Sequence, residues 1–106
     1  MPKLYEYLGI IIRLLYEDHN PIHVHATCGQ NEMRVELYEK GGVIYDVKYR
    51  LIKGKFTPAQ KRNLQTIIEE KKDAILFAWD QSKRQNGEIK FKLTKITKRI
   101  KHDKER

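Results

Sequence analysis

Three of the four histidines fall within seven residues, in the stretch Asp18-His19-Asn20-Pro21-Ile22-His23-Val24-His25. On an extended chain His23 and His25 project from the same face, about 7 Å apart at their Cα atoms. His19, just before the proline turn, could fold back towards them. Three imidazoles in one place suit three tasks. They could ligate a transition metal, pass protons near neutral pH, or tie the turn to backbone carbonyls. No second group of Cys and His ligands exists to complete a tetrahedral zinc site, so no metal or other cofactor is implied. His19, His23 and His25 are the candidate catalytic residues. A site built on one local cluster needs partners from neighbouring strands, and Arg13, Arg34, Glu36 and Tyr38 are the candidates.

The second feature with chemical meaning is charge. The chain carries a net +8, and residues 83–106 hold ten Lys/Arg against three Asp/Glu, whereas residues 1–82 hold twelve against eleven. Such an excess raises the local concentration of polyanions and speeds encounter with them. Lys90, Lys92, Lys95, Lys98, Arg99 and Lys101 are the candidate nucleic-acid contacts. The plainer reading of the same run is a solubilising tail.

Composition bounds the rest. A chain of 106 residues suits one domain, read here as an α+β domain over residues 1–82 with a basic extension over 83–106. At this size stability is marginal, and a homodimer is one way to add to it. No apolar run approaches the roughly 18 residues of a membrane helix, and the N-terminus lacks the pattern of a signal peptide. The single Cys28 has no internal disulfide partner. These features predict a cytoplasmic protein with no membrane partner. No phosphate-binding glycine loop, nucleophile elbow, paired-carboxylate site or zinc-finger spacing is present, which sets aside the large nucleotide-dependent enzyme classes.

The elements that must position these residues follow from periodicity. Tyr5 to Tyr16 reads as a hairpin divided at Gly9, with Ile10–Leu15 as a largely buried strand. Asp18-His19-Asn20-Pro21 is turn chemistry, and Ile22–Cys28 follows as a strand with Cys28 on the face of Val24 and Ala26. Glu32–Tyr38 alternates, with Met33, Val35 and Leu37 on one face and Glu32, Arg34 and Glu36 on the other. After Gly41-Gly42, Val43–Ile52 repeats the pattern with Val43, Tyr45, Val47, Tyr49 and Leu51 on one side. At Thr57-Pro58-Ala59-Gln60 the period changes to that of a capped helix. Leu64, Ile67, Ile68, Ile75, Ala78 and Trp79 recur at helical spacing, but Glu69–Asp73 is polar. This predicts two helices, or one bent helix, over a meander of about five antiparallel strands. Glu88–Leu93 alternates again and could add a lysine-bearing edge strand.

Met1-Pro2, Gly9, Tyr16 and above all Asp18-His19-Asn20-Pro21-x-His23-Val24-His25 resemble the DUF4160 family of small bacterial proteins. The Thr57-Pro58 helix start and Ala74-Ile75-Leu76-Phe77-Ala78-Trp79 match a helical region of that family that ends in an apolar stretch with a tryptophan. The resemblance covers roughly residues 1–82. It implies a prokaryotic or mobile-element origin and a role in a toxin–antitoxin-like gene pair. The chain departs from the family pattern at Ile22, where a second proline is usual, and in residues 83–106, which extend past the usual end.

Two functions fit these features. One is a small basic protein that docks on nucleic acid or on an acidic protein surface. The other is a metal-independent ribonuclease that uses the histidine cluster, with the basic extension holding the phosphate backbone.

Overall fold

The computed structural model describes residues 3–14, 21–85 and 93–100. The elements run β1 (Lys3–Tyr7), β2 (Ile10–Arg13), β3 (Ile22–Cys28), β4 (Asn31–Lys40), β5 (Val43–Lys53), α1 (Pro58–Arg84) and β6 (Thr94–Ile96). The strands form one sheet in the order β5-β4-β3-β2-β1-β6. β1 to β5 are an antiparallel meander, and β6 joins β1 in parallel. The fold is therefore α+β, as the sequence predicts.

Tight turns set the register at two places. Tyr7 pairs with Ile10 across Leu8-Gly9, and Lys40 pairs with Val43 across Gly41-Gly42. All four turn residues have positive φ. Two successive positive-φ residues match the right-handed twist of the flanking strands, which is why a two-residue hairpin selects them.

One face of the sheet is the core. Ile10, Ile12, Val24, Ala26, Val35 and Leu37 are each at most 1% exposed, and the registers pair Ile12 with Ala26, Val24 with Val35 and Leu37 with Ile22. Burial of each larger side chain is worth roughly 1.5–3 kcal/mol. The helix covers this face with Leu64, Ile67, Ile68, Ile75, Ala78 and Trp79.

α1 is a single helix, where the sequence left one bent helix or two open. Thr57 Oγ1 accepts from the Gln60 amide at 3.1 Å, and Gln60 Oε1 accepts from the Thr57 amide at 2.9 Å, the reciprocal capping box. The polar run Glu69–Asp73 does not break the helix, because Ile68 and Ile75 are seven residues apart and lie on one face two turns from each other. Between them Lys71 is half-buried, with its ammonium 5.5 Å from the Tyr5 ring centre. Lys72 pairs with Glu69 at 2.9 Å.

β5 departs from simple alternation. Tyr38 faces Asp46 but Glu39 faces Ile44, so Tyr45 is the extra residue of a bulge. Ile44 turns inward and is buried, while Val43 and Tyr45, expected on the inner face, are 62% and 65% exposed. Val47 and Tyr49 regain the inner face.

The expected edge strand at Glu88–Leu93 falls mostly on residues 86–92, outside the described residues. The edge strand that is described lies at Thr94–Ile96, beside β1. It is tied down where the Ile100 amide donates to the Tyr7 hydroxyl at 3.0 Å. Among the described residues no helix is long and apolar enough to cross a membrane.

Candidate functional site

The face of the sheet opposite the apolar core stripe carries polar side chains from all six strands; it is closed at His23, which is 1% exposed with the Trp79 ring of α1 5.7 Å away. The antiparallel register makes rows of the polar side chains. Lys3 pairs with Arg13, Arg13 with His25, His25 with Arg34, and Arg34 with Arg50. A row of basic residues thus crosses five strands from β1 to β5. One step along the strands, His23 pairs with Glu36 and Glu36 with Lys48. One step the other way, Lys95, Glu6, Ile11, Thr27, Glu32 and Lys53 form the third row.

Glu36 organises the middle of this face. It is 5% exposed. Arg34 Nε donates to its Oε2 at 3.0 Å, while Arg50 Nε at 2.9 Å and the Tyr38 hydroxyl at 3.0 Å donate to its Oε1. Burial alone would push the Glu36 carboxyl up. The hydrogen bonds from Arg50 and Tyr38, with the charges of Arg50 and Arg34, outweigh burial and hold it below the usual carboxylate range. Both arginines use Nε, the nitrogen nearest the chain. The outer edge of each guanidinium fork is thereby aimed away from the carboxylate, where it can take a second oxyanion.

Aromatic rings border the same patch. The Tyr38 ring lies 6.5 Å from Tyr45 and has Lys48 Nζ 5.4 Å from its centre. Lys48 and Tyr45 are both exposed. Across the face, Arg13 Nη1 donates to Thr27 Oγ1 at 2.8 Å, which fixes the third arginine of the row.

The histidines come together but differ in surroundings. His23 and His25 have ring centres 5.5 Å apart, edge to face. His23 is 1% exposed, with Nδ1 3.1 Å from the Pro21 carbonyl and the Trp79 ring 5.7 Å away. These contacts suit a ring that fastens the start of β3 to the helix. His25 is partly exposed, and its Nδ1 lies 2.9 Å from Glu32 Oε2. His19 lies outside the described residues. Among the described residues no three His, Cys, Asp or Glu side chains are placed to hold a metal ion.

Of the basic residues singled out near the C-terminus, Lys90, Lys92 and Lys101 also lie outside the described residues. Lys95 is exposed, 4.0 Å from Glu6, on the open face. Arg99 points the other way, to Asn63 of the helix at 3.5 Å. Lys98 is exposed.

Arg13, Arg34, Glu36 and Tyr38, named from sequence as partners for the histidines, all share the histidines' face. Arg50, Lys48 and Glu32 were not among them. Cys28, on the opposite face, is half-buried against the core, and Trp79 is buried.

The model of one family, DUF4160 (Domain of unknown function), matches residues 9–80. No curated protein and no solved structure matches the chain.

Proposed function

This chain belongs to the DUF4160 family, and from the face that this family fold presents we propose that it binds single-stranded nucleic acid across the open side of its sheet. The observation that carries the reading is the Arg34–Glu36–Arg50 arrangement. A carboxylate that anchors two guanidinium groups by their inner nitrogens presents their outer edges as a preformed phosphate clamp. Pre-organisation of this kind reduces the side-chain entropy lost on binding.

Three further features favour a single strand. The face is broad, and among the described residues no element rises from it as a helix entering a duplex groove would. The cationic row supplies successive contacts for a backbone. Tyr45 and Tyr38 at its margin offer rings for base stacking, which accepts any sequence. Lys95 extends the positive surface to the far edge of the sheet, and the remaining basic residues of 83–106 add long-range attraction. In a toxin–antitoxin-like pair this face would hold the nucleic acid on which the pair acts.

The test is fluorescence anisotropy with a labelled single-stranded RNA of mixed sequence, titrated at several salt concentrations. Binding should weaken linearly in log–log form, with a slope near 0.7 for each phosphate neutralised. Arg13→Gln, Arg34→Gln and Arg50→Gln should each weaken binding and flatten the slope. If the protein captures polyglutamate but no RNA, an acidic protein surface replaces nucleic acid as the partner. If RNA binding survives all three changes, the open face is not the interface.

A further inference from the structure

His25 occupies a place on the open face that nucleic-acid binding alone does not require. We infer that it is the general base of an RNA-cleaving site, in which a 2′-hydroxyl attacks the adjacent phosphodiester. The inference rests on the binding reading above and names its substrate class as RNA rather than DNA.

The contact with Glu32 selects the tautomer of His25. With Glu32 Oε2 2.9 Å from Nδ1, the carboxylate accepts the Nδ1–H of the neutral ring, and the lone pair is left on Nε2. A base must not be sealed in the core, and the His25 side chain keeps 20% of its surface exposed. His23 shows the contrast. Its ring is buried, with Nδ1 3.1 Å from the Pro21 carbonyl and its centre 5.7 Å from that of the Trp79 ring. Only one of the two neighbouring imidazoles therefore has the environment of a proton acceptor.

Both residues directly across from His25 are arginines, Arg13 on β2 and Arg34 on β4. Arg13 and Arg34 are therefore two strands apart, about 10 Å between their backbones, with His25 between them. Each guanidinium is already held by one bond, Arg13 to Thr27 and Arg34 to Glu36. A phosphodiester placed between the two arginines, within reach of both long side chains, would lie beside His25. Of the described residues on this face, these are the ones that set an oriented base between two anchored cations.

The chemistry then balances without a metal. Nε2 takes the proton of the 2′-hydroxyl. The 2′-oxygen forms a bond to phosphorus, and the bond from phosphorus to the 5′-oxygen breaks. Arg13 and Arg34 stabilise the negative charge that grows on the non-bridging oxygens. Solvent water protonates the departing 5′-oxygen, and the imidazolium returns its proton to solvent. The products are a 2′,3′-cyclic phosphate and a 5′-hydroxyl. DNA, lacking the 2′-hydroxyl, binds and stays intact. Glu32 acts through His25 and is a positioning residue.

The experiment incubates the full chain with a single-stranded RNA and its DNA counterpart in the presence of a chelator. Binding is read by anisotropy and products by mass spectrometry. The inference expects RNA fragments with 2′,3′-cyclic phosphate ends and intact DNA. His25→Gln should lower cleavage of RNA at saturating protein at least about 100-fold, with a far-ultraviolet circular dichroism spectrum matching wild type, which shows that the variant is folded. Glu32→Gln should lower kcat with KM unchanged, and Glu32→Asp should recover part of the loss. RNA that is bound but never cut would overturn this inference and leave the binding reading standing. Cleavage that persists in His25→Gln would also overturn it. Failure to bind RNA at all would remove both.

Discussion

Arg34 and Arg50 stand directly opposite one another on neighbouring strands, with Glu36 bonded to the Nε of both. Like charges so placed are destabilising by themselves. The carboxylate between them makes the arrangement tenable, and it needs its negative charge to do so.

Glu36→Gln should therefore destabilise the fold by about 1–3 kcal/mol, the cost of leaving buried hydrogen-bonding groups poorly matched. The wild-type protein should carry a matching pH dependence. A carboxyl whose folded pKa is depressed contributes stability above its unfolded value, near 4.5, and loses it as pH falls through the folded value. Urea unfolding at pH 7 and at pH 3 should show the gap between wild type and Glu36→Gln close in acid. A gap of equal size at both pH values would mean that the charge of Glu36 contributes nothing.

At the alkaline end the reporter is Tyr49. Burial, helped by the charge of Glu69 on the helix, pushes its phenol up to about 12. A raised folded pKa favours the protonated form, so its contribution is complete below pH 10 and is lost as pH rises towards 12. Ultraviolet titration should find a tyrosine that ionises near pH 12, about two units above the ordinary phenol value. Glu69→Gln should bring that transition down, since burial remains but the neighbouring charge is gone. An unmoved transition would leave burial as the whole cause.

Much of this architecture was legible because local chemistry and fold agree. The Thr57–Gln60 capping box, the alternation of Met33, Val35 and Leu37, and the hairpin at Gly9 each carry their own physical signal. The basic row was harder to see. A two-residue turn at Gly41-Gly42 carries Lys40 opposite Val43, and continuing that register would set Arg34 against Tyr49. The bulge at Tyr45 moves the pairing by one, so that Arg50 takes the place instead. No residue type around Tyr45 announces a bulge. The polar run Glu69–Asp73 hid the continuity of the helix, because Lys71 is half-buried with its ammonium by the Tyr5 ring and Lys72 pairs with Glu69, contacts that hydropathy alone does not credit.

The helix start offers a separate check on that local agreement. Thr57→Ala removes the oxygen that accepts the Gln60 amide and should cost about 1 kcal/mol. Gln60→Ala removes only the reciprocal bond, to the Thr57 amide, and should cost less. Chemical denaturation of the two variants should give that order. The reverse order would mean that the threonine is not the anchor of the cap.

Tyr45 separates two uses of the open face. Its ring is 65% exposed and sits on a bulge beside Tyr38, so its exposure does work for the fold only if the outward turn of the strand matters there. If a base stacks on it, Tyr45→Phe keeps the π-face and should bind single-stranded RNA as the wild type does. Tyr45→Ala should lose about 1–3 kcal/mol of binding, roughly 5- to 150-fold, with little change in salt slope because no charge is removed. An arginine change in the row behaves oppositely, with a flatter slope and the same tolerance of base identity. The two classes of variant thus read two different forces on one surface. Equal binding by Tyr45→Ala and wild type would confine recognition to the phosphate backbone and take the stacking contribution away.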